Sequence, residues 1–203
     1  MTDRLDGRGN DPVVLFLHGY GSHENDLAGL ALWLPDAFPW ASLRAPLALP
    51  HGGNAWFTIT VPGDPDPAPL AVATDAIWDW VDEHLGSQAS VIAVGFSQGG
   101  LMATQLLRTR PERVTATVVL GGFVQRTEQP GDAALSVNRP PVFWGRGASD
   151  GVITPAAIER TRHWLAAHST LTEHVYPGLG HAIDATELDD MREFLTEHVA
   201  VGA

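Results

Sequence analysis

Apolar positions along the chain fall into two alternating patterns. Short unbroken runs occur at Val13–Leu17, Trp40–Leu43, Val91–Phe96, Val114–Leu120, Val142–Trp144 and Leu171–Tyr176. Their length and composition are those of buried parallel strands, covered on both faces. Between them the spacing changes to that of helices. Leu70, Ala73, Ile77, Val81 and Leu85 line one stripe, while Asp75, Asp79, Asp82 and Glu83 fall outside it. Thr154-Pro155 reads as an N-cap followed by proline in the first turn, opening a helix that runs to about Ala167. Thr186 with Asp189 resembles a capping box for a last helix whose buried face is Leu188, Met191, Leu195 and Val199. Strands alternating with helices predict an α/β fold: a doubly wound, mainly parallel sheet with helices on both faces. No repeat or linker interrupts the pattern, so residues 1–203 are expected to form a single domain.

Two stretches escape both patterns. Residues 44–69 carry six prolines, and residues 121–141 run from a Gly-Gly pair to a Pro-Pro pair. Loops this long in a compact domain usually serve a function. The first contains Asn54-Ala55-Trp56-Phe57, too apolar to be left in water, and is expected to fold over a site. The second, only about twenty residues long, allows at most a minimal lid.

Composition narrows the chemistry. Cysteine is absent, which removes disulfides, thiol nucleophiles and thiolate metal sites, and fits a cytoplasmic protein. All 12 basic residues are arginine, so no amine side chain exists for Schiff-base or P-loop chemistry. A formal charge of −12 opposes nucleic acid and anionic membrane surfaces as partners. No apolar run approaches membrane-spanning length, and Met1-Thr2-Asp3-Arg4-Leu5-Asp6 does not read as a signal peptide.

The most specific motif is Gly95-Phe96-Ser97-Gln98-Gly99-Gly100, set between an apolar run and a helical pattern beginning at Gly100. G-x-S-x-G between strand and helix is the turn that lifts a serine hydroxyl clear of a sheet edge. The glycines give the sharp bend room, the serine accepts a strained backbone, and the helix N-terminus faces the place where negative charge would develop. A serine used this way needs a histidine to take its proton and a carboxylate to hold that histidine. In sheets of this kind both follow the serine in the order acid, then histidine, on loops beyond strand ends. Asp150, after the run ending near Trp144, and His181, after the run ending at Tyr176, fit. Asp132, on the preceding loop, is the rival acid. The oxyanion would be met by backbone N–H groups of Gln98, next to the nucleophile, and of Tyr20 in Leu17-His18-Gly19-Tyr20-Gly21. His18 is expected to brace that loop rather than to titrate. Trp56, Phe57 and Phe123 are candidates to line an acyl pocket, and His23 and His51 to touch substrate. His23-Glu24-Asn25-Asp26 lacks converging ligands at helical spacing, so no metal is expected. Helical His84, His163, His168 and His198 read as surface residues.

These motifs, with Asp26, Arg44-Ala45-Pro46, Ala55-Trp56-Phe57, Gly147-Ala148-Ser149-Asp150 and Gly180-His181, span nearly the whole chain. Together they resemble the phospholipase/carboxylesterase family of α/β-hydrolases, which includes acyl-protein thioesterases and bacterial carboxylesterases. The resemblance implies Ser97, Asp150 and His181 as a triad, Tyr20 and Gln98 as oxyanion donors, and no cofactor. The chain departs from the family in having tyrosine at position 20 and Thr154 before Pro155 after the acid. Its short N-terminus leaves little room for the antiparallel edge strand common in the fold. The expected function is a serine carboxylesterase acting on short-chain esters as small-molecule substrates, with a homodimer compatible with the sequence. The alternatives are an acyl-protein thioesterase or lysophospholipase on longer chains, and a hydrolase-fold binding protein without catalysis.

Overall fold

A computed structural model describes residues 1–5, 12–35 and 38–199. The remaining positions of the expected domain lie outside the described residues. The apolar runs form the strands β2 (Val13–Leu17), β3 (Trp40–Leu43), β6 (Val91–Phe96), β7 (Val114–Leu120), β8 (Pro141–Gly147) and β9 (Thr170–Tyr176). They pair in parallel, in the order β3-β2-β6-β7-β8-β9. A further strand, β1 (Thr2–Arg4), pairs antiparallel with β3, Thr2 opposite Ser42 and Arg4 opposite Trp40. The expectation that the N-terminus is too short for such a strand is therefore corrected. Three residues suffice because β3 is only four long, and β1 replaces it as a shorter edge strand.

Period-two alternation divides the core into two layers. Val13, Leu15 and Leu17 of β2 face one cluster, Val14 and Phe16 the other. Val91 and Ala93 of β6 divide from Ile92 and Val94 in the same way. Helices α1 (Pro67–His84), α2 (Gln98–Thr109) and α4 (Pro155–His168) cover the first face. The 3₁₀ turn Ala28–Trp33 and helix α5 (Ala185–His198) cover the second. The expected caps are found at α4, where Thr154 Oγ1 accepts from Ala157 N–H, but not at α5. There Asp184 is the N-cap, accepting from Glu187 N–H, so the expected box of Thr186 and Asp189 is corrected by two residues.

The 44–69 stretch contains a two-stranded ribbon of β4 (Leu47–Ala48) and β5 (Asn54–Ala55), then buried Trp56 and Phe57. The 121–141 stretch contains one short helix, α3 (Asp132–Asn138). Parallel pairing brings the C-terminal ends of β2, β6, β7, β8 and β9 to one edge. Connections from β2 and β6 diverge there, and ligands in open α/β sheets bind at such a switch point.

Candidate active site

Ser97 occupies the turn between β6 and α2 with φ +56° and ψ −115°, a conformation L-residues rarely adopt. The fold around it enforces this. Ser97 N–H donates to Leu120 O on the neighbouring strand, and its own carbonyl accepts from Leu101 N–H inside α2. A Cβ at position 99 would run into the Leu17 carbonyl, and one at 95 into the backbone of Gly99. Both flanking glycines are thus required by the packing of the helix start against β2 and β6.

His181 reaches Ser97 from the loop after β9, its Nε2 lying 2.8 Å from Ser97 Oγ. Its Nδ1 is 2.8 Å from Asp150 Oδ2. The carboxylate claims the Nδ1 proton, leaving the Nε2 lone pair toward the serine hydroxyl. Asp150 Oδ1 accepts from the N–H groups of Val152 and Ile153 at 2.8 and 3.1 Å. Burial raises the Asp150 carboxyl, but the bonds from His181, Val152 and Ile153 outweigh it, and its pKa lies below the ordinary carboxylate value. The two loops are also tied to each other, Ser149 N–H donating to Leu179 O at 2.9 Å. Phe96 packs beside the imidazole with ring centroids 4.9 Å apart.

Asp132 lies elsewhere. Its carboxylate receives Arg108 Nε at 2.8 Å and Nη2 at 2.6 Å, and also Gln129 N–H at 3.0 Å. Arg108 is 1% exposed and makes two more bonds, to Gln125 O and Thr127 O. Asp132 is committed to a buried ion pair that fastens the 121–131 loop to α2.

A second network shapes the loop after β2. His18 is fully buried, and burial lowers its pKa. Its Nε2 accepts from Ala45 N–H at 3.1 Å, so the proton sits on Nδ1, which donates to Gly19 O at 2.8 Å. Gly19 O and Tyr20 N–H belong to one trans peptide, so holding the carbonyl on one side turns the amide to the other. Trp56 Nε1 donates to His18 O at 2.8 Å. The Gln98 side chain accepts from Trp56 N–H and donates to Phe57 O, at 2.9 and 2.8 Å. Gln98 thereby clamps the 54–57 segment to the serine turn by its side chain, leaving its backbone amide as the group near Ser97.

A cleft of about 250 Å³ opens beside Ser97 and Gln98. Phe57 and Phe123 line it, with Ile59, Val61 and Val152, exposed to 46%, 54% and 59%, at its apolar rim. The Tyr20 side chain lies on the same rim. Trp56 does not line this cleft; its indole is drawn under the β2 loop by His18, which corrects its assignment to the acyl pocket. His23 is exposed, its Nδ1 accepting from Asn25 N–H, and like His51 it is outside the lining. The sequence signal for residues 59–61 is that all three, Ile59, Thr60 and Val61, are β-branched inside a proline-rich loop.

Arg160 and Glu187 have no local motif to announce them, and the Arg44-Ala45-Pro46 motif does not say what Arg44 binds. Arg160 of α4 donates to Val124 O and Gly63 O, pinning both walls of the cleft. Arg44 grips Glu24 with two nitrogens, and that guanidinium holds the Glu24 carboxyl down to about 2. Glu187, 1% exposed, lies against Gly145 of β8 with neither carboxyl oxygen hydrogen-bonded. Burial, then Asp184 and Asp190, push its pKa up to about 8. Among the described residues no group of three or more His, Asp or Glu side chains is arranged to hold a metal, and no helix is long and apolar enough to cross a membrane.

Strand, sharp serine turn, and an acid and histidine on successive strand-end loops define an α/β-hydrolase. The chain belongs to the phospholipase/carboxylesterase family, whose model matches residues 6–199, and is an ester hydrolase by class. It is 29% identical to the putative hydrolase MhqD of Bacillus subtilis, over 94% of this chain and 95% of that one. It is 25% identical to acyl-protein thioesterase 1 of Kluyveromyces lactis, covering 91% of each. The fold matches a Bacillus cereus carboxylesterase with TM-score 0.83 at 24% identity, over 97% of this chain and 93% of that one.

Proposed function

We propose that the protein is a serine carboxylesterase acting on short-chain esters, with Ser97, His181 and Asp150 as its triad. The unbroken Asp150–His181–Ser97 chain carries this reading: two 2.8 Å bonds join residues 31 and 84 positions apart in sequence. As Ser97 Oγ attacks the ester carbonyl carbon, its proton passes to His181 Nε2. The carbonyl oxygen, gaining the electron pair, is met by the amides of Tyr20 and Gln98. Asp150 stabilises the imidazolium so formed. Collapse of the tetrahedral adduct breaks the bond to the alcohol oxygen, which takes the proton from Nε2, leaving an acyl-Ser97 ester. Water then repeats the sequence, His181 removing its proton, and the carboxylic acid leaves.

The acyl chain fits the cleft beside Ser97. At about 250 Å³ the cleft is smaller than sites for drug-sized ligands, which begin near 300 Å³. This favours short acyl groups over the long chains of a lipid-removing thioesterase, although thioesters use the same triad. Rapid mixing with 4-nitrophenyl butyrate should release a burst of nitrophenolate matching the enzyme concentration. Ser97→Ala, correctly folded by circular dichroism, should lose on the order of 10³-fold or more in kcat. Near-normal turnover by that variant overturns the mechanism.

A further inference from the structure

A second groove, of about 330 Å³, opens on the other side of the imidazole. His181 lines it and does not line the cleft beside Ser97, whereas Ser97 and Gln98 line that cleft and not this one. The groove runs between the 3₁₀ turn at Ala28–Trp33 and the start of α5. Its walls are Leu27, Leu30, Ile183 and Leu188, with Phe96 beside the imidazole. One charged side chain, Asp26, stands in its lining, where Ser22 Oγ donates to Asp26 Oδ2 at 2.5 Å.

The chemistry decides what such a groove can receive. The carbonyl carbon bonds to Ser97 Oγ, and the alcohol oxygen must meet the proton on His181 Nε2 before it can leave. With the acyl chain in the first cleft, the alcohol portion extends past the imidazole. We infer that the groove between Leu30 and Leu188 is the leaving-group subsite, taking alcohols with an apolar body and a cationic end directed at Asp26. This inference rests on the esterase reading and refines it. Among the described residues no arginine lines either cleft, and the chain has no lysine. A phosphate or carboxylate on the alcohol therefore meets a carboxylate and no cation, which disfavours phosphate-bearing lysolipid headgroups.

The test compares three acetate esters: 3,3-dimethylbutyl acetate, its quaternary-ammonium isostere acetylcholine, and anionic 3-acetoxypropionate. A unit charge roughly 5 Å from an ammonium in water is worth about fourfold in rate. The wild-type enzyme should therefore show kcat/KM about fourfold higher for acetylcholine than for the neutral isostere, and lower still for the anion. In Asp26→Asn the cation-to-neutral ratio should fall to about one. Raising salt from ~0.01 to ~1 M shortens the Debye length from about 30 to about 3 Å, and should shrink the wild-type ratio without any mutation. Leu188→Ala should lower the ratio of dimethylbutyl to methyl acetate turnover several-fold. A wild-type ratio of about one, or a ratio that survives both Asp26→Asn and high salt, overturns the subsite while leaving the esterase intact. Failure to hydrolyse 4-nitrophenyl acetate, run alongside, overturns the esterase reading and this inference with it.

Discussion

Asp132 and Asp150 are the same side chain, one opening α3 beside the last turn of α2 and the other on the loop after β8, and their neighbours give them different tasks. Asp132 is committed to a buried arginine and one amide, while His181 is held by Asp150. Asp150 spends one oxygen on two loop amides and presents the other to His181. We expect Asp150→Asn to lower kcat by about 10³–10⁴-fold with little loss of stability, because it removes the charge that fixes and stabilises the imidazolium. Asp132→Ala should do the opposite. It leaves Arg108 buried and unpaired, costing about 3–5 kcal/mol, or roughly 10 °C in Tm for a chain of this size. Activity per folded molecule should stay near wild type. Thermal melts beside active-site-titrated kinetics separate the two, and a large fall in kcat for the Asp132 variant would move the acid role there.

At the scale of elements, α5 matters because the His181 loop runs directly into it. Its first turn carries Asp184 as cap and Glu187 buried against β8, with Asp190 one turn on, bonded to His174 and Tyr176. Tyr176 is pushed above its ordinary pKa, first by burial and then by Asp190. Glu187 has the larger consequence for stability. Its pKa rises on folding from 4.5 to about 8, so the unfolded chain releases this proton at lower pH than the folded one. Stability from this group is therefore fully present below about pH 4.5, is lost progressively as pH rises toward 8, and changes no further above that. Glu187→Gln removes the titration and keeps the shape. The fall in Tm between about pH 5 and pH 8 should flatten in this variant, by roughly 4–8 °C if about 2 kcal/mol is recovered. An unchanged slope would mean that Glu187 is already ionised in the folded protein.

For the whole molecule, charge and the pinned loops set which substrates can enter. The −12 formal charge repels anionic lipid surfaces, and the 121–141 stretch adds only the short helix α3. The cleft walls are fastened by Arg160 to both Val124 and Gly63, leaving no long lid to swing over an interface. Each buried methylene is worth about 0.8 kcal/mol, nearly fourfold in kcat/KM, but only while the cleft has room for it. The rate over a ladder of 4-nitrophenyl esters should therefore rise from acetyl to about hexanoyl and then level or fall. No jump should appear at the critical micelle concentration. A steady climb through palmitoyl would favour the thioesterase reading instead.

Interactions within a few residues were legible from the sequence alone. Strands appeared as unbroken apolar runs, α1 as an apolar stripe, α4 by its cap and first-turn proline, and the serine turn as two glycines that its packing demands. The order of Ser97, Asp150 and His181 could be read from their places after the apolar runs that form β6, β8 and β9. Local patterns could not say which way an aromatic side chain faces: Trp56 and Phe57 are adjacent, yet one bonds beneath the β2 loop while the other lines the cleft. Nor could they separate Thr186 from Asp184 as a cap, since either type of residue serves and only the chain's entry angle from the His181 loop selects between them. The rival acid, the β1 edge strand, buried Glu187 and the arginine pins on the cleft were likewise decided by tertiary structure. Each depends on partners far away in sequence, and which partner arrives is determined only when the two layers close on the sheet.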